Sequence, residues 1–523
     1  MVPALVAVPA TGLLAFYAWP VATLFARVLS ASAVSDTFRA PGIGRVLWFT
    51  WWQAFVSTAI TMVVGFAPAY FLARYRFRGR RAVLAVVTVP FMLPTVVVGA
   101  AFLALLPRGW HGTPMAVVVA HVFFNVAVIV RLVGAMWGVL PIDLTAAART
   151  LGATPAQVLR HVVLPLLRPA LFAATSVVFL FTFTSFGVVR LLGGAANPTL
   201  EVEIARRATQ LGDVDGAAVL SLLQLVVLGA VVWWSVRWQR RAVVHFAGAT
   251  TRRVRGSRER RLFVTAISAT VVAMVCPVVF LVSRAFRVGN EWSFAAWRTL
   301  GRGEVRPGIS LGVNPLASLF TSFRFALVAT IISVVVGGLA AAAITVARRY
   351  GRLLDVGLML PLGTSAVTIG LGILITFNRA PFDWRARWWI VPLGHALVAT
   401  PFVVRSVVPV LRSISPDQRG AAITLGASPL RAWWEVEVRR IARPLASGAG
   451  FAAAISLGEF GATTFLTRSG RETMPIAIDR LLGRAGAVPR AQAFALATIL
   501  LVATAVVVML ADLHEIEDDS ARR

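Results

Sequence analysis

Residues Ala146–Pro169 read AAARTLGATPAQVLRHVVLPLLRP, and residues Gly420–Pro444 read GAAITLGASPLRAWWEVEVRRIARP. Seven of the first ten positions are identical between the two. Ala147, Ala148, Ala421 and Ala422 are strong helix formers. Gly152 and Gly426 follow them and supply the positive φ on which a helix stops. Thr154 then suits an N-cap, with Pro155 at the first helical position and Gln157 closing a capping box. Ser428 and Pro429 repeat that start. The spacing predicts two short helices joined by a bend, a knob that occurs twice in one chain.

Outward from this pair the repetition continues at an offset of 271–275 residues. His121 and Arg131 match His395 and Arg405, Phe186 and Gly187 match Phe460 and Gly461, and Thr199 and Arg206 match Thr473 and Arg480. Pro90 and Gly99 match Pro361 and Gly370. Apolar runs long enough to cross a bilayer fall near 3–27, 46–73, 82–106, 114–136, 169–192 and 216–236, then near 262–284, 318–347, 355–377, 388–410, 445–467 and 491–511. The expected fold is all-α and integral to the membrane, with about 12 transmembrane helices in two parallel six-helix repeats. The expected divisions are a first repeat at 1–240, an arginine-rich cytoplasmic linker at 241–260, and a second repeat at 261–523.

Composition agrees. The 523 residues are 58% hydrophobic and 14% charged, with a mean hydropathy of +0.79. Soluble domains carry roughly a quarter of their residues as charges, so most of this surface faces lipid. The formal charge of +29 comes from 51 basic residues, all of them arginine. They gather between apolar runs, which points to a cytoplasmic face and excludes a nucleic-acid footprint. A phosphate-binding P-loop requires lysine; the chain has none, so ATP hydrolysis must come from a partner. The single Cys276 has no intrachain partner. The apolar N-terminus lacks a basic leader and reads as a first span. Arg74–Arg81, Arg237–Arg261 and Arg348–Arg352 fall on one side if the spans alternate, which places both termini in the cytoplasm of a bacterium.

The paired loops resemble the EAA loop of ABC importer permeases. The family's glycine is at Gly152 and Gly426, and its Leu-Pro at Leu164–Pro165. The family's glutamate is replaced by Ala146 and Gly420, and Arg439 stands where the second proline would fall. WFTWWQAFVSTAITMVVGFAPAYFLAR (48–74), AHVFFNVAVIVRLV (120–133), FTFTSFGVVRLLGG (181–194) and SLGEFGATTFL (456–466) extend the resemblance to fused permeases of the thiamine and ferric-iron importer group, and residues 193–224 look closest to the thiamine branch. The resemblance implies the type I importer fold, two nucleotide-binding ATPase subunits and an extracytoplasmic solute-binding protein as partners, and no cofactor or metal. It assigns coupling to the ATPases to Ala147, Ala148, Gly152, Pro155, Leu164 and Pro165, and to Ala421, Ala422, Gly426 and Pro429.

Polar residues inside the spans need a reason, because a charge there is costly. Glu459 sits in the middle of a span with Ser185 at the matching place. Together with Phe186, Gly187, Phe460 and Gly461 they are candidates for a pathway or gate, Ser185 facing Glu459 across the axis between halves. The alternative for Glu459 is a structural partner to an arginine of a neighbouring span. Arg131 and Arg405 suit snorkelling. His121 and His395 suit either hydrogen bonds between helices or proton handling, the former favoured because no acid or cysteine stands at ligand spacing. Trp48, Trp51 and Trp52 suit an interfacial belt. On the face opposite the arginine clusters, loops 193–214 and 468–490 offer Glu201, Glu203, Arg206 and Arg480 for docking of a binding protein, with one loop acidic and the other basic. No catalytic constellation is present. An ion-coupled secondary transporter is the alternative, and it calls for several buried acids where Glu459 alone is clear.

Overall fold

In the computed structural model, residues 2–28, 31–239, 251, 256–306 and 309–521 are described. Most of the linker expected at 241–260 lies outside them. Nine described helices are long and apolar enough to cross a membrane: Leu5–Val28, Ile43–Arg74, Pro114–Val139, Pro155–Phe183, Val214–Ser235, Ser257–Ala285, Pro315–Val346, Ile390–Ser413 and Ala487–Ala511. Two further segments are bent pairs, Arg80–Met92 with Thr95–Leu105 at 105° and Tyr350–Gly363 with Ala366–Thr376 at 103°, which brings the total to as many as eleven.

Four of the expected spans therefore need correction. The runs at 82–106 and 355–377 are not straight helices. Leu93 precedes Pro94 and is extended at φ −71°, ψ 141°, because the proline ring disfavours helix in the residue before it. In the second half Thr364 is extended, and Ser365 starts a new helix by accepting from the Val367 and Thr368 amides. The run at 169–192 belongs to a helix that begins at Pro155 and ends at Phe183, followed by a separate helix Gly187–Leu192. The run at 445–467 breaks at Glu459 between the helices Arg439–Gly458 and Gly461–Leu466. The first of these opens on Arg439, Arg440 and Arg443, which removes it from the strongly apolar set.

The repeats share their packing. Ile43–Arg74 lies along Pro114–Val139 as Pro315–Val346 lies along Ile390–Ser413. Both contacts depend on a small residue at a matched place. A Cβ on Gly65 would stand 2.7 Å from the Ile129 Cβ, and one on Gly337 would stand 2.9 Å from the Val403 Cβ. Without a hydrophobic force between helices in lipid, such close backbone approach supplies the dispersion that holds them.

The first helix of each half packs against the other half. Leu5–Val28 lies on Pro315–Val346 and Ala366–Thr376, with the Tyr17 hydroxyl 2.6 Å from that of Thr364. Ser257–Ala285 lies on Arg80–Met92 and Thr95–Leu105, with Phe263 5.0 Å from Phe77 between ring centroids. The buried apolar core consequently runs through both halves. Between the helices ending at Ala285 and beginning at Pro315, two short antiparallel ribbons pair Arg287–Val288 with Glu291–Trp292 and Glu304–Arg306 with Ile309–Ser310. The apolar pattern gives no sign of them, because strands of two or three residues have no period to detect.

Candidate functional site

The repeated motif folds into a helix, a tight turn and a second helix in each half. Ile142–Thr150 ends where the Ala153 amide bonds the Ala148 carbonyl at 3.0 Å and the Gly152 amide bonds the Arg149 carbonyl at 3.0 Å. Pro416–Thr424 ends the same way, Ala427 to Ala422 at 3.0 Å and Gly426 to Ile423 at 2.9 Å. This is the Schellman closure, and it requires a left-handed residue, supplied by Gly152 at φ 83° and Gly426 at φ 88°. Thr154 and Gln157 form the expected capping box over Pro155, and the Ser428 hydroxyl accepts from the Arg431 amide at 3.3 Å in the second copy.

The second helix of each knob is not short. It passes through a π-helical turn, Leu159–Val163 or Trp434–Val438, into the long helices ending at Phe183 and Gly458. Leu164 and Pro165 lie just past the first π turn. Arg439 takes the proline's place without abolishing the second, so the wide turn does not depend on that proline. Each knob is thus continuous with a long helix that runs to a break near residue 185 or 459.

At the tips stand two residues that sequence reasoning passed over. Leu151 is 89% exposed and Leu425 is 88% exposed, extreme values for a leucine. Their signal was present in the shared Thr-Leu-Gly triplet, an apolar residue repeated where a solvated turn needs none. The knobs differ in bracing: Arg419 pairs with Glu437 across the second knob, where the first has Thr145 and Val163.

The long helices that leave the knobs break at the centre of the molecule. Phe186 and Phe460 occupy the two breaks, and their rings meet at 4.9 Å between centroids. Gly187 and Gly461 follow them. A Cβ on Gly187 would stand 3.1 Å from the Val96 amide nitrogen, and one on Gly461 would stand 3.2 Å from that of Val367. Each break is thus seated on the inner helix of its own half's bent pair. Gly458 closes against Pro94 of the other half.

Ser185 and Glu459 lie in these breaks, and each is bonded to groups of its own half. The Ser185 hydroxyl is 2.8 Å from His121 Nε2, and Ser57 is 3.3 Å from His121 Nδ1. Glu459 accepts from the Ala462 amide at 2.8 Å, the Thr463 amide at 2.9 Å and the Thr463 hydroxyl. His395 lies 3.4 Å away and is held by Ser456 at 2.7 Å and Thr463 at 2.8 Å. The partner of Glu459 is therefore a helix N-terminus and a histidine, not an arginine. Both histidines bond to hydroxyls on neighbouring segments.

The outer acids also differ from expectation. Glu201 and Glu203 are 1% and 3% exposed and sit in the helix Leu200–Arg206, not on an open loop. Glu203 takes Arg206 at 2.7 Å and Arg207 at 2.9 Å; burial pushes its pKa up, and these guanidinium groups outweigh that and hold it below the usual value. Glu201 bonds Gln224 and lies beside Ser365 of the other half. Burial raises its pKa to about 7, against the opposing effect of those two bonds. Arg480 is held by Glu472 at 2.7 Å and by the Gly312 carbonyl at 3.0 Å. The matched pair Arg206 and Arg480 remains partly open to solvent, at 44% and 38% of their side chains. The acids do not.

Residues 62–245 and 333–515 both match the family described as "Binding-protein-dependent transport system inner membrane component". The chain belongs to this family. It is a fused importer permease, each match taking in one knob and one central break. The thiamine transport system permease protein of Escherichia coli (strain K12) is 26% identical over 465 residues, covering 84% of this permease and 83% of that protein. That of Brucella abortus (strain 2308) is 27% identical over 503 residues, covering 92% and 89%. The sulfate transport system permease protein CysT of Salmonella typhimurium is 31% identical over 229 residues, covering 40% of this permease and 83% of that protein. A relative the size of one repeat fits the reading of the permease as a permease pair joined in one chain. As an inner-membrane transport subunit it is not an enzyme, and the family works with ATPases and binding proteins.

Proposed function

We propose that this permease carries thiamine across the cytoplasmic membrane, with two copies of an ATPase docked at the knobs and a solute-binding protein on the opposite face. The matched exposure of Leu151 and Leu425 carries the coupling part of this reading. A leucine so fully solvated has an apolar surface to bury, worth roughly 1.5–3 kcal/mol when covered. Two such tips on turns closed by the same pair of backbone bonds suit two identical grooves. The knobs run through a π-helical turn into the helices that end at Phe183 and Gly458, just before Phe186 and Phe460, so ATPase closure pulls on the central contact. The arginine clusters favour the cytoplasm for the knobs and for both termini. Arg206 and Arg480, at matched places on the far side, favour a two-lobed partner. Thiamine is supported by the full-length likeness to thiamine permeases.

The test is uptake of radiolabelled thiamine by cells that carry the permease with its ATPase and binding protein and lack other thiamine uptake. Accumulation that needs all three components supports the reading. Normal ATP-dependent activity with a different solute, and none with thiamine, removes the substrate and leaves the permease.

A further inference from the structure

A cavity of about 790 Å³ lies behind the first knob, between Ile142–Val163 and the adjacent ends of Ile43–Arg74 and Pro114–Val139. Its size falls in the range of small-molecule sites, roughly 300–1,000 Å³. Phe66, Tyr70 and Trp137 form one wall, with Phe66 4.8 Å and Tyr70 5.0 Å from Trp137 between ring centroids. Val163 and Leu159 extend the apolar lining. Two guanidinium groups border it: Arg74, buried and bonded to the Leu140 carbonyl at 2.8 Å, and Arg149, exposed on the knob's first helix. Among the described residues, no aspartate or glutamate lines it.

The matched places around the second knob carry different residues. The helices Ile43–Arg74 and Pro315–Val346 are both 32 residues long, and their common register sets Gly338 for Phe66, Ala342 for Tyr70 and Val346 for Arg74. Leu411 stands for Trp137 and Ile423 for Arg149. At these matched places the ring wall and both cations are absent.

An apolar, ring-walled cavity with positive charge and no acid takes an anion on an apolar body. Its place at the end of a spanning helix, where tyrosine and tryptophan mark the level of the headgroups, selects the membrane as the source. Basic pockets between helices on the cytoplasmic side receive anionic headgroups from a negatively charged leaflet. We propose that this cavity holds one anionic phospholipid, its phosphodiester beside Arg149 and Arg74 and an acyl chain along Phe66 and Val163. The lipid then lies under the first knob and fixes its tilt, a control the second knob lacks. This rests on the placement of the knobs at the cytoplasmic face.

The test is native mass spectrometry of the purified full-length permease, released from vesicles of equal parts phosphatidylglycerol and phosphatidylcholine. The expected result is one tightly retained phosphatidylglycerol per chain. Ala67→Trp, which fills the cavity, and Arg149→Gln, on an exposed helix face, each lower that retention at least tenfold. Millimolar inorganic phosphate leaves it unchanged. Equal retention of the two lipids, or retention unaffected by both substitutions, overturns the proposal. Displacement by inorganic phosphate also overturns it, in favour of a free-phosphate site. No ATPase takes part in the measurement, so its failure leaves the coupling role of the knobs standing, and a failure of coupling leaves the lipid result standing.

Discussion

The rings of Phe186 and Phe460 meet at 4.9 Å, tilted by 41°, across the boundary between the two halves. Each lies just past the end of a long helix rising from a knob, and the contact joins the two halves. An aromatic pair of this kind contributes about 0.5–1.5 kcal/mol beyond its burial. If this pair closes the pathway, an energy of that size would let movement of the knobs open it.

Replacing both rings, Phe186→Ala with Phe460→Ala, should therefore weaken the resting closure by a few-fold without unfolding the bundle. Solute leak from loaded proteoliposomes that contain the permease and lack ATP should rise. A leak equal to that of the wild type would show that the rings do not form the constriction.

Glu459 is tied to the Ala462 and Thr463 amides, and loss of such a cap costs about 1 kcal/mol. Glu459→Ala should lower the melting temperature by about 1 °C, because the unfolding entropy of a chain of 523 residues is large. Glu459→Gln, which keeps one acceptor oxygen, should lower it less and retain transport. Abolished transport in Glu459→Gln with an unchanged melting temperature would assign this carboxylate to ion movement instead.

The Glu201 carboxyl is raised by burial to about 7. A carboxyl raised in the folded state binds its proton more tightly there than in the unfolded chain. Its stabilising contribution is complete below the unfolded value and is lost as pH rises through about 7. The purified permease should melt at a lower temperature at pH 8 than at pH 5, and Glu201→Gln should shrink that difference. An identical difference in the variant would show that Glu201 does not contribute to it.

Much of this was legible in the sequence. The knobs were readable because Gly152, Thr154, Pro155 and Gln157 act locally, through backbone angles and caps within four residues. The repeat at 271–275 residues fixed the two halves. The bends at Pro94 and Ser365 were hidden inside apolar runs, since hydropathy is blind to direction. The exchange of first helices was also hidden, because nothing in Leu5–Val28 states which half it will touch. Glu201 and Glu203 misled because a charged stretch between spans suggests a solvated loop. Their partners, Gln224 and Arg207, lie 23 and 4 residues away and announce themselves only once folded.

Gly152 is held at φ 83° with no atom close enough to obstruct a side chain. Valine there should fail through backbone strain alone, since β-branched residues rarely adopt positive φ. Gly152→Val should reduce both transport and stimulated ATP turnover while membrane insertion stays normal, and Gly152→Asn, which tolerates the left-handed region, should be milder. Equal defects in the two variants, seen as equal uptake rates, would contradict a conformational cause.

The most direct test of the account removes the exposed tips and nothing else. Leu151→Ser and Leu425→Ser together alter two side chains that are 89% and 88% exposed in the permease, so its own melting temperature should not change. ATP turnover stimulated by the loaded binding protein, measured in the reconstituted transporter, should fall at least tenfold. Stimulated turnover at the wild-type rate in this double variant would contradict the assignment of the two knobs as the couplings to the ATPases.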